Sequence, residues 1–357
     1  MKKTAIIGID FGKESLSAAF LFGEDIESAK VIKEQSYKNT QKGFQKLSKD
    51  LLKALSSEGL NLSDALVIGE ATGIYHKPFA IAFTRIGIDC KIANPYVIKH
   101  STGTLSRGKS DKADALKIAR FGMRFHGEVE LFRETTPILT KIENLIDRRR
   151  ELVDLKKRAA TRLKEWIFKI DGGLVDLGDP DMEQIDQDRR EDVKLYSLKI
   201  KEIDKVILRT VKGDKEIDEL FALLASIPGV GLTAASTLIV ATRGFTRFSS
   251  PKALCTFCGV APQLFESGTS VYQTPHRSLK ADPEYASLLY LVAMAALRSS
   301  KRMKEYRDRK QKEGKPFLLI VNNIKNKLLT IMFYIAKNKT LYNDDYVSKA
   351  FLQDPAA

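Results

Sequence analysis

Residues 4–22, TAIIGIDFGKESLSAAFLF, contain two apolar runs on either side of a short polar segment. Each run has the length and the β-branched or aromatic content of a buried strand, and Gly12 lies where a turn would join them. We therefore predict paired strands over residues 4–10 and 15–22. Beyond them the pattern predicts a strand near Val31, a helix at about 43–57, a strand at 65–70, a helix near 75–87 and a strand at 90–93. Strands that alternate with helices indicate an α/β domain ending near residue 130.

Four acidic residues stand at the ends or starts of these predicted elements. Asp10 closes the first strand, and Glu70 closes the strand ALVIGE. The segment KSDKADALKIARF (109–121) places Asp111 and Asp114 three residues apart on a predicted helix, so both carboxylates face the same way. Hard oxygen ligands of this kind predict a site for two Mg²⁺ ions, with Mn²⁺ as an alternative. Acids at strand ends and in first helical turns also occur for structural reasons, so the prediction rests on the whole set.

Composition bounds the class of protein. The chain has 357 residues and 43% hydrophobic content, enough for two or three domains with a real core. A formal charge of +14 predicts a polyanionic partner, with nucleic acid ahead of a membrane surface. No uninterrupted apolar run approaches the ~20 residues that span a bilayer, and Asp10 comes too early for a signal-peptide core, so we predict a cytoplasmic protein without a membrane partner. Cys90, Cys255 and Cys258 are too few for a disulfide framework or a zinc site and are predicted to be buried.

The middle of the chain predicts a helical hairpin. Residues 139–170 form a long charged segment with apolar residues at the spacing of a coiled-coil arm. The acidic segment 171–193, with glycines and Pro180 as helix breakers, is predicted to join it to a second arm at about 194–224, and the hairpin could mediate self-association. Basic runs on the first arm, which include Arg148, Arg149, Lys156 and Lys157, are either a solvated face or a contact surface for nucleic acid.

The segment LLASIPGVGLTAASTLIVAT (223–242) predicts a helix, a tight turn and a second helix. Gly229, Gly231 and Thr233 lie where backbone N–H groups of a helix-hairpin-helix element approach a DNA phosphate, although a plain helical connection would give the same pattern. Residues 301–339 hold 12 basic and 3 acidic residues on predicted helices, a further candidate surface for the nucleic-acid backbone.

Several of these motifs together resemble a known family. The motifs are GIDFGKES (8–15), GEATGIYH (69–76), ANP (93–95), KSDKADALKIARF, LASIPGVGLTAASTLI (224–239) and RFSSPKALCTFCGVAPQLFESG (247–268). In this order they resemble the bacterial insertion-sequence transposases of the one-ten type. These transposases are related to the Piv DNA invertases and are also called bridge-RNA-guided recombinases. The resemblance implies an α/β RuvC-like (RNase H-like) domain at 1–130, a coiled-coil hairpin at 131–222, and a mainly α serine transposase domain with a helix-hairpin-helix at 223–345.

The resemblance also implies roles for individual residues. Asp10, Glu70, Asp111 and Asp114 match the family's acidic metal-binding tetrad, and Ser267 in FESG matches its serine nucleophile. The implied reaction passes through a covalent serine–DNA intermediate without net hydrolysis, in a dimer or tetramer. A bridge RNA would guide target choice by base pairing, and the protein would be associated with the nucleoid of a bacterium or archaeon.

The chain departs from the family pattern after the serine. Relatives carry a glycine and several arginines where this chain has Ala281, Glu284, Tyr285 and Ser287. Nearby cationic residues that could offset the loss in DNA contact are His276, Arg277 and Lys280.

Three other functions remain open from the residues alone. A Holliday-junction-type nuclease would use the same acids with water as the nucleophile. An actin-like sugar kinase would share the GIDFGKES loop, but the later Asp-Gly-Gly at 171–173 follows a long helix instead of lying between strands. A non-catalytic DNA-packaging or RNA-binding protein would explain the charge but not the acids.

Overall fold

The structure, a computed structural model, describes residues 3–101, 111–267, 271–277 and 283–344, with backbone alone for 111–112, 262–267 and 271–277. The chain divides into two compact units, Met1–Glu134 and Thr135–Ala357. The first ends close to the predicted limit of the α/β domain. The helical hairpin falls in the second unit, and its separate status as a domain over 131–222 stays a prediction.

The first unit is built on a five-stranded mixed sheet. Its order is β3-β2-β1-β4-β5, in which β1, β2 and β3 pair antiparallel and β1, β4 and β5 pair parallel. The predicted strands and the α/β class are confirmed. The bounds are β1 (Ala5–Phe11), β2 (Ser15–Phe22), β3 (Lys30–Lys38), β4 (Ala65–Glu70) and β5 (Asp89–Ala93).

Two helices cover one face of this sheet. The predicted helices appear as α1 (Gln41–Ser57) and α2 (Lys77–Arg85), and α1 begins where the side chain of Thr40 accepts a hydrogen bond from the Gly43 N–H (3.3 Å). Large apolar side chains of both helices pack against β1 and β2 in a single buried cluster. Its fully buried members include Phe20, Phe44, Leu47, Leu51, Phe79 and Phe83.

A further short helix, α3 (Pro95–Ser101), was not expected from the sequence. The predicted strand at 90–93 is followed directly by Asn94 and Pro95. The same two residues start the helix, because proline suits the first helical turn and the Asn94 side chain accepts a hydrogen bond from the Tyr96 N–H (2.9 Å). This helix matters later, because it borders the acidic site.

The opposite face of the sheet is covered by α4 (Asp111–Phe125), the predicted helix of the KSDKADALKIARF segment. Its backbone lies directly on β1: a Cβ atom built on Gly8 would stand 2.2 Å from the Ala115 carbonyl oxygen and 2.3 Å from the Ala119 nitrogen. Gly122 makes a second close approach, to the side chain of Ile68. Any side chain at position 8 would therefore push α4 away from the sheet.

The second unit begins with two long helices that pack against each other, α5 (Pro137–Asp171) and α6 (Pro180–Lys212). The prediction that the second arm starts near 194 was wrong. Pro180 starts the helix instead of breaking it, because proline fits the first helical position and Asp179 caps the end by accepting from the Asp181 N–H (2.9 Å). The predicted arm is also interrupted at Gly213, after which α7 (Lys215–Ala225) begins.

The remainder of the second unit is mainly helical, as predicted, around one large apolar core. A two-stranded antiparallel hairpin is the exception. The elements are α8 (Leu232–Ala241), α9 (Pro251–Phe257), β6 (Pro262–Ser267), β7 (Val271–Arg277), α10 (Pro283–Ser299), α11 (Lys301–Lys312) and α12 (Phe317–Asn338).

All three cysteines are free and buried, as predicted, and burial raises the pKa of each thiol above its ordinary value.

Among the described helices, α12 alone has the length and apolar composition to cross a membrane. Half of its apolar stretch is buried inside the protein, where Ile324, Leu328 and Met332 belong to the core of the second unit.

Replacing Gly8 with alanine tests the close packing of α4 on β1. We expect Gly8→Ala to lower the free energy of unfolding of the first unit by about 2 kcal/mol or more, because the new methyl group overlaps the backbone of α4. Urea unfolding followed by circular dichroism measures this. Gly127→Ala is the matched control, because nothing lies within 4 Å of a Cβ at that position. Equal stability of the two variants would contradict the packing account.

Candidate acidic site and nucleic-acid surfaces

Alternation along β1 and β4 brings two acids to one place. Ile6 of β1 and Leu66 and Ile68 of β4 belong to the buried cluster on the α4 side of the sheet. Side chains alternate between the two faces of a strand, so Asp10 and Glu70 leave the sheet on that same side. The parallel register pairs Ile9 with Gly69, and the next residues along the strands, Asp10 and Glu70, are therefore neighbours.

Helix α4 contributes a third acid to this edge of the sheet. Asp10, Glu70 and Asp114 line one cavity of about 620 Å³. The structure thus brings three of the four predicted acids together. Asp111 is the first residue of α4, but its side chain lies outside the described part, so its place in the set stays a prediction.

The electrostatics of Glu70 reflect this convergence. The pKa of its carboxyl is raised above the ordinary 4.5, first by burial and then by the negative charges of Asp10 and Asp114, while Lys117 acts in the opposite direction. Because Glu70 holds its proton more tightly in the folded chain, it contributes stability below pH 4.5 that is lost as the pH rises through the raised pKa. At neutral pH the site therefore carries a repulsion that a bound cation would relieve.

The donor set fits a hard divalent cation. Carboxylate oxygens are the ligands that Mg²⁺ prefers, and Mg²⁺ retains several waters instead of requiring a closed protein cage. Among the side chains described, no three His, Cys, Asp or Glu groups stand close enough together to hold an ion. Asp10, Glu70 and Asp114, which line the cavity, are the residues that would hold the cation, with water completing its coordination.

Sequence reasoning missed the cationic residues of this cavity. Lys99 from α3 and Lys117 from α4 line it together with the acids. Lys117 lies three residues after Asp114, so its position on the same helix face could have been found from spacing. Lys99 could not, because α3 itself was not predicted.

The residues predicted around the serine lie on the two-stranded hairpin. Ser267 is the last residue of β6 and pairs with Val271 of β7. Arg277 is the last residue of β7 and pairs with Pro262. Their side chains lie outside the described part, so the nucleophilic role of Ser267 and the DNA contact by Arg277 stay predictions.

The turn between α7 and α8 contains glycines with different surroundings. Gly229 has a φ of +88°, and a Cβ there would stand 2.6 Å from the Ala296 nitrogen and the Val292 carbonyl oxygen of α10. Gly229 is therefore required for the packing of this turn against α10, a role that the local sequence pattern does not indicate. Gly231 is exposed, precedes the first turn of α8 and has open space around it. Of the predicted phosphate contacts, Gly231 and the half-buried Thr233 are the ones a DNA backbone could reach.

The basic residues predicted on the hairpin differ in their surroundings. Arg149 of α5 donates to Asp204 of α6 (2.6 Å), so its guanidinium links the two arms. Arg148 and Lys157 pair with acids of their own helix, Glu151 (2.9 Å) and Asp154 (3.4 Å). Lys156 is half-buried. Their contact with nucleic acid stays a prediction.

Two models of known protein families match this chain. A family model described as Transposase, of the DEDD IS110 type, matches residues 7–169. A second, described as Transposase IS116/IS110/IS902 family, matches residues 221–308.

Two relatives agree with the two models, one over nearly the full length of both chains and one over about a third. The chain is 24% identical over 339 residues to the pilin gene-inverting protein of Moraxella bovis, covering 94% of this chain and 97% of that protein. It is 26% identical over 127 residues to an uncharacterized 43.6 kDa protein of the insertion element IS110 from Streptomyces coelicolor, covering 36% of this chain and 31% of that one.

Among solved structures, Thermus thermophilus RuvC matches with 15% identity and a TM-score of 0.28, covering 36% of this chain and 99% of that chain. RuvC in complex with a Holliday junction substrate gives 14% identity, the same coverage and the same TM-score.

The two family models and the full-length relative define a DNA transposase of the recombinase class, an enzyme that cuts and rejoins DNA. The chain belongs to the IS110 family of transposases.

Binding of a divalent cation can be measured through stability. We expect saturating Mg²⁺ or Mn²⁺ to raise the melting temperature by roughly 3–5 °C, because a ligand bound only by the folded state stabilises it. Glu70→Gln and Asp114→Asn should shift by less than about 1 °C in a thermal-shift assay, since each removes a ligand. Glu58→Gln, an exposed acid at the end of α1, should respond like the unmodified chain. A full response in both site variants would show that the cation binds elsewhere.

Proposed function

We propose that this transposase exchanges DNA strands at a divalent-metal site formed by Asp10, Glu70, Asp111 and Asp114, with Ser267 as the nucleophile. The observation that carries the proposal is the cavity in which three of these acids meet. A packing or surface role for the acids does not explain why carboxylates from β1, β4 and α4 converge despite their mutual repulsion.

The proposed step is a transesterification. The Ser267 hydroxyl oxygen attacks the phosphorus, a serine–phosphate bond forms, and the bond to the leaving deoxyribose oxygen breaks as that oxygen takes up a proton. The hydroxyl gives its own proton to a neighbouring base. A bound divalent cation would polarise the phosphate oxygens and stabilise the leaving oxygen. Attack by the hydroxyl of another strand end then reverses the step, so no water is consumed.

Residues around the acids would receive the DNA backbone. Lys99 and Lys117 line the same cavity and would attract a phosphodiester that the three carboxylates alone would repel. The exposed Gly231 and the half-buried Thr233 at the start of α8 would hold another phosphate without reading sequence. Positive charge on α11 and on the hairpin would extend the contact, in keeping with a net charge of +14.

Further partners follow from the proposed chemistry. We propose that the serine and the acids are brought together in an assembly of two or four copies. A bridge RNA transcribed beside the element would select the target by base pairing, and the protein would work in the cytoplasm beside the nucleoid.

Trapping on a denaturing gel tests the nucleophile. The protein is incubated with Mg²⁺, its candidate flanking RNA and labelled element-end DNA. We expect a covalent protein–DNA adduct that Ser267→Ala abolishes, because alanine has no hydroxyl to form the bond. Ser299→Ala is the matched control, since that exposed hydroxyl donates to the Ala295 carbonyl oxygen of its own helix (2.9 Å).

Two outcomes would overturn the serine mechanism. Cleavage without an adduct, unchanged in Ser267→Ala, would indicate a nuclease that uses water. An adduct that persists in Ser267→Ala would indicate another nucleophile. Omitting the RNA tests guidance separately, because a guided enzyme would then form no adduct at the target sequence.

A further inference from the structure

The middle of the α5–α6 hairpin lacks the apolar core that holds its base. Buried residues of α5 end at Leu152 and resume only at Trp166, and those of α6 are confined to Ile207, Thr210 and Val211 near its end. Between the arms, in this stretch, lies a cavity of about 350 Å³. We call it the hairpin slot, and its polar lining consists of Arg158, Arg162, Asp188, Arg189, Asp192 and Tyr196.

Three arginines converge on the hairpin slot. Arg158 and Arg162 lie one helical turn apart on α5, with the small Ala159 between them, and Arg189 faces them from α6. Within the part of the chain that the structure describes, Arg158 and Arg162 make no hydrogen bond or ion pair. Other hairpin arginines do, as in the Arg149–Asp204 and Arg190–Asp186 pairs. Arg158 and Arg162 are exposed, and among the described residues Asp188 and Asp192 of the same lining form no ion pair with them, so pairing between the arms does not account for their position.

Arg189 is held in place by a ring instead of by an acid. Its guanidinium carbon lies 4.9 Å from the centre of the Trp166 ring, a cation–π contact. Its Nε and the Trp166 Nε1 are both buried and have no hydrogen-bond partner among the described residues. Stacking thus orients Arg189 without occupying its donors, an arrangement suited to an anionic ligand.

The remaining lining favours a nucleotide over a bare anion. Two carboxylates, Asp188 and Asp192, would repel inorganic phosphate, and Asp188 already accepts from the Gln184 side chain (2.8 Å). Carboxylates do accept hydrogen bonds from base amino groups and ribose hydroxyls. The half-buried Tyr196 supplies a ring on which a base can stack. Two packed helices leave no room for a duplex between them, so the ligand must be single-stranded.

We propose that the hairpin slot binds one nucleotide of a single-stranded nucleic acid. Its phosphate contacts Arg158, Arg162 and Arg189, and its base lies against Tyr196. The inference rests on the family's action on DNA and not on the serine chemistry. If the hairpin slot binds no nucleotide, the result of the adduct experiment does not change. If the adduct experiment fails, binding in the hairpin slot can still be measured.

The test is fluorescence anisotropy of the full-length protein with end-labelled oligothymidylate, oligouridylate and a duplex of equal length, at one fixed salt concentration. We expect the double variant Arg158→Gln/Arg162→Gln to bind single strands about tenfold more weakly, with a much smaller change for the duplex. Lys201→Gln/Lys205→Gln removes the same charge from exposed positions of α6 and should change single-strand binding less than about twofold. Stronger binding of one homopolymer would identify DNA or RNA as the source of the strand.

Photo-crosslinking gives a second readout that does not depend on charge. An iodouracil-containing strand should crosslink to Tyr196, and a Tyr196→Leu variant should lose that crosslink while it keeps its helical circular dichroism. Three results would each overturn the proposal. The two double variants could lose equal affinity for single strands, the arginine variant could lose equal affinity for single strand and duplex, or all crosslinks could lie outside the hairpin.

Discussion

The contact on which the first unit depends is the packing of the α4 backbone against β1 at Gly8. The Ala115 carbonyl and the Ala119 nitrogen occupy the space that any side chain at this position would need. This approach brings Asp114 to the edge of the sheet where Asp10 and Glu70 emerge from adjacent parallel strands. Had α4 been held farther away by a larger residue, the sheet could still form but its acids would lack the third partner. The absence of a Cβ atom at Gly8 thus lets α4 pack closely on β1 and so places Asp114 beside the other two acids.

Like charges lie close together at two places in this molecule, negative charges at one and positive charges at the other. At the acidic site, burial and the neighbouring carboxylates raise the pKa of Glu70, a strain that a divalent cation would remove. In the hairpin slot, arginines from both arms line one cavity, and among the described residues Arg158 and Arg162 make no ion pair with the acids beside them. Folding alone favours neither arrangement, because like charges close together destabilise the folded state. Both become reasonable if a ligand of opposite charge completes them, a cation in the first and a nucleotide phosphate in the second.

The sequence predicted the sheet and most of the acidic site, because period-two alternation fixes which side chains share a face. Asp10 and Glu70 could be placed on this basis, and Asp114 followed from helical spacing. Where a residue serves two structural purposes, prediction failed. Pro180 is predicted to break a helix but starts one, and Pro95, where no helix is predicted, starts α3. Lys99 was missed for that reason, while the packing role of Gly229 depends on α10, which lies far away in sequence. Long-range packing of this kind leaves no local pattern.

The measurement that tests the central claim most directly is an anomalous-scattering map of Mn²⁺ in crystals of the transposase grown with the ion. The account predicts a Mn²⁺ peak bounded by the carboxylates of Asp10, Glu70 and Asp114, and its disappearance in crystals of Asp114→Asn. Mn²⁺ bound elsewhere, with these three carboxylates free of metal in protein that still cleaves DNA, would contradict it.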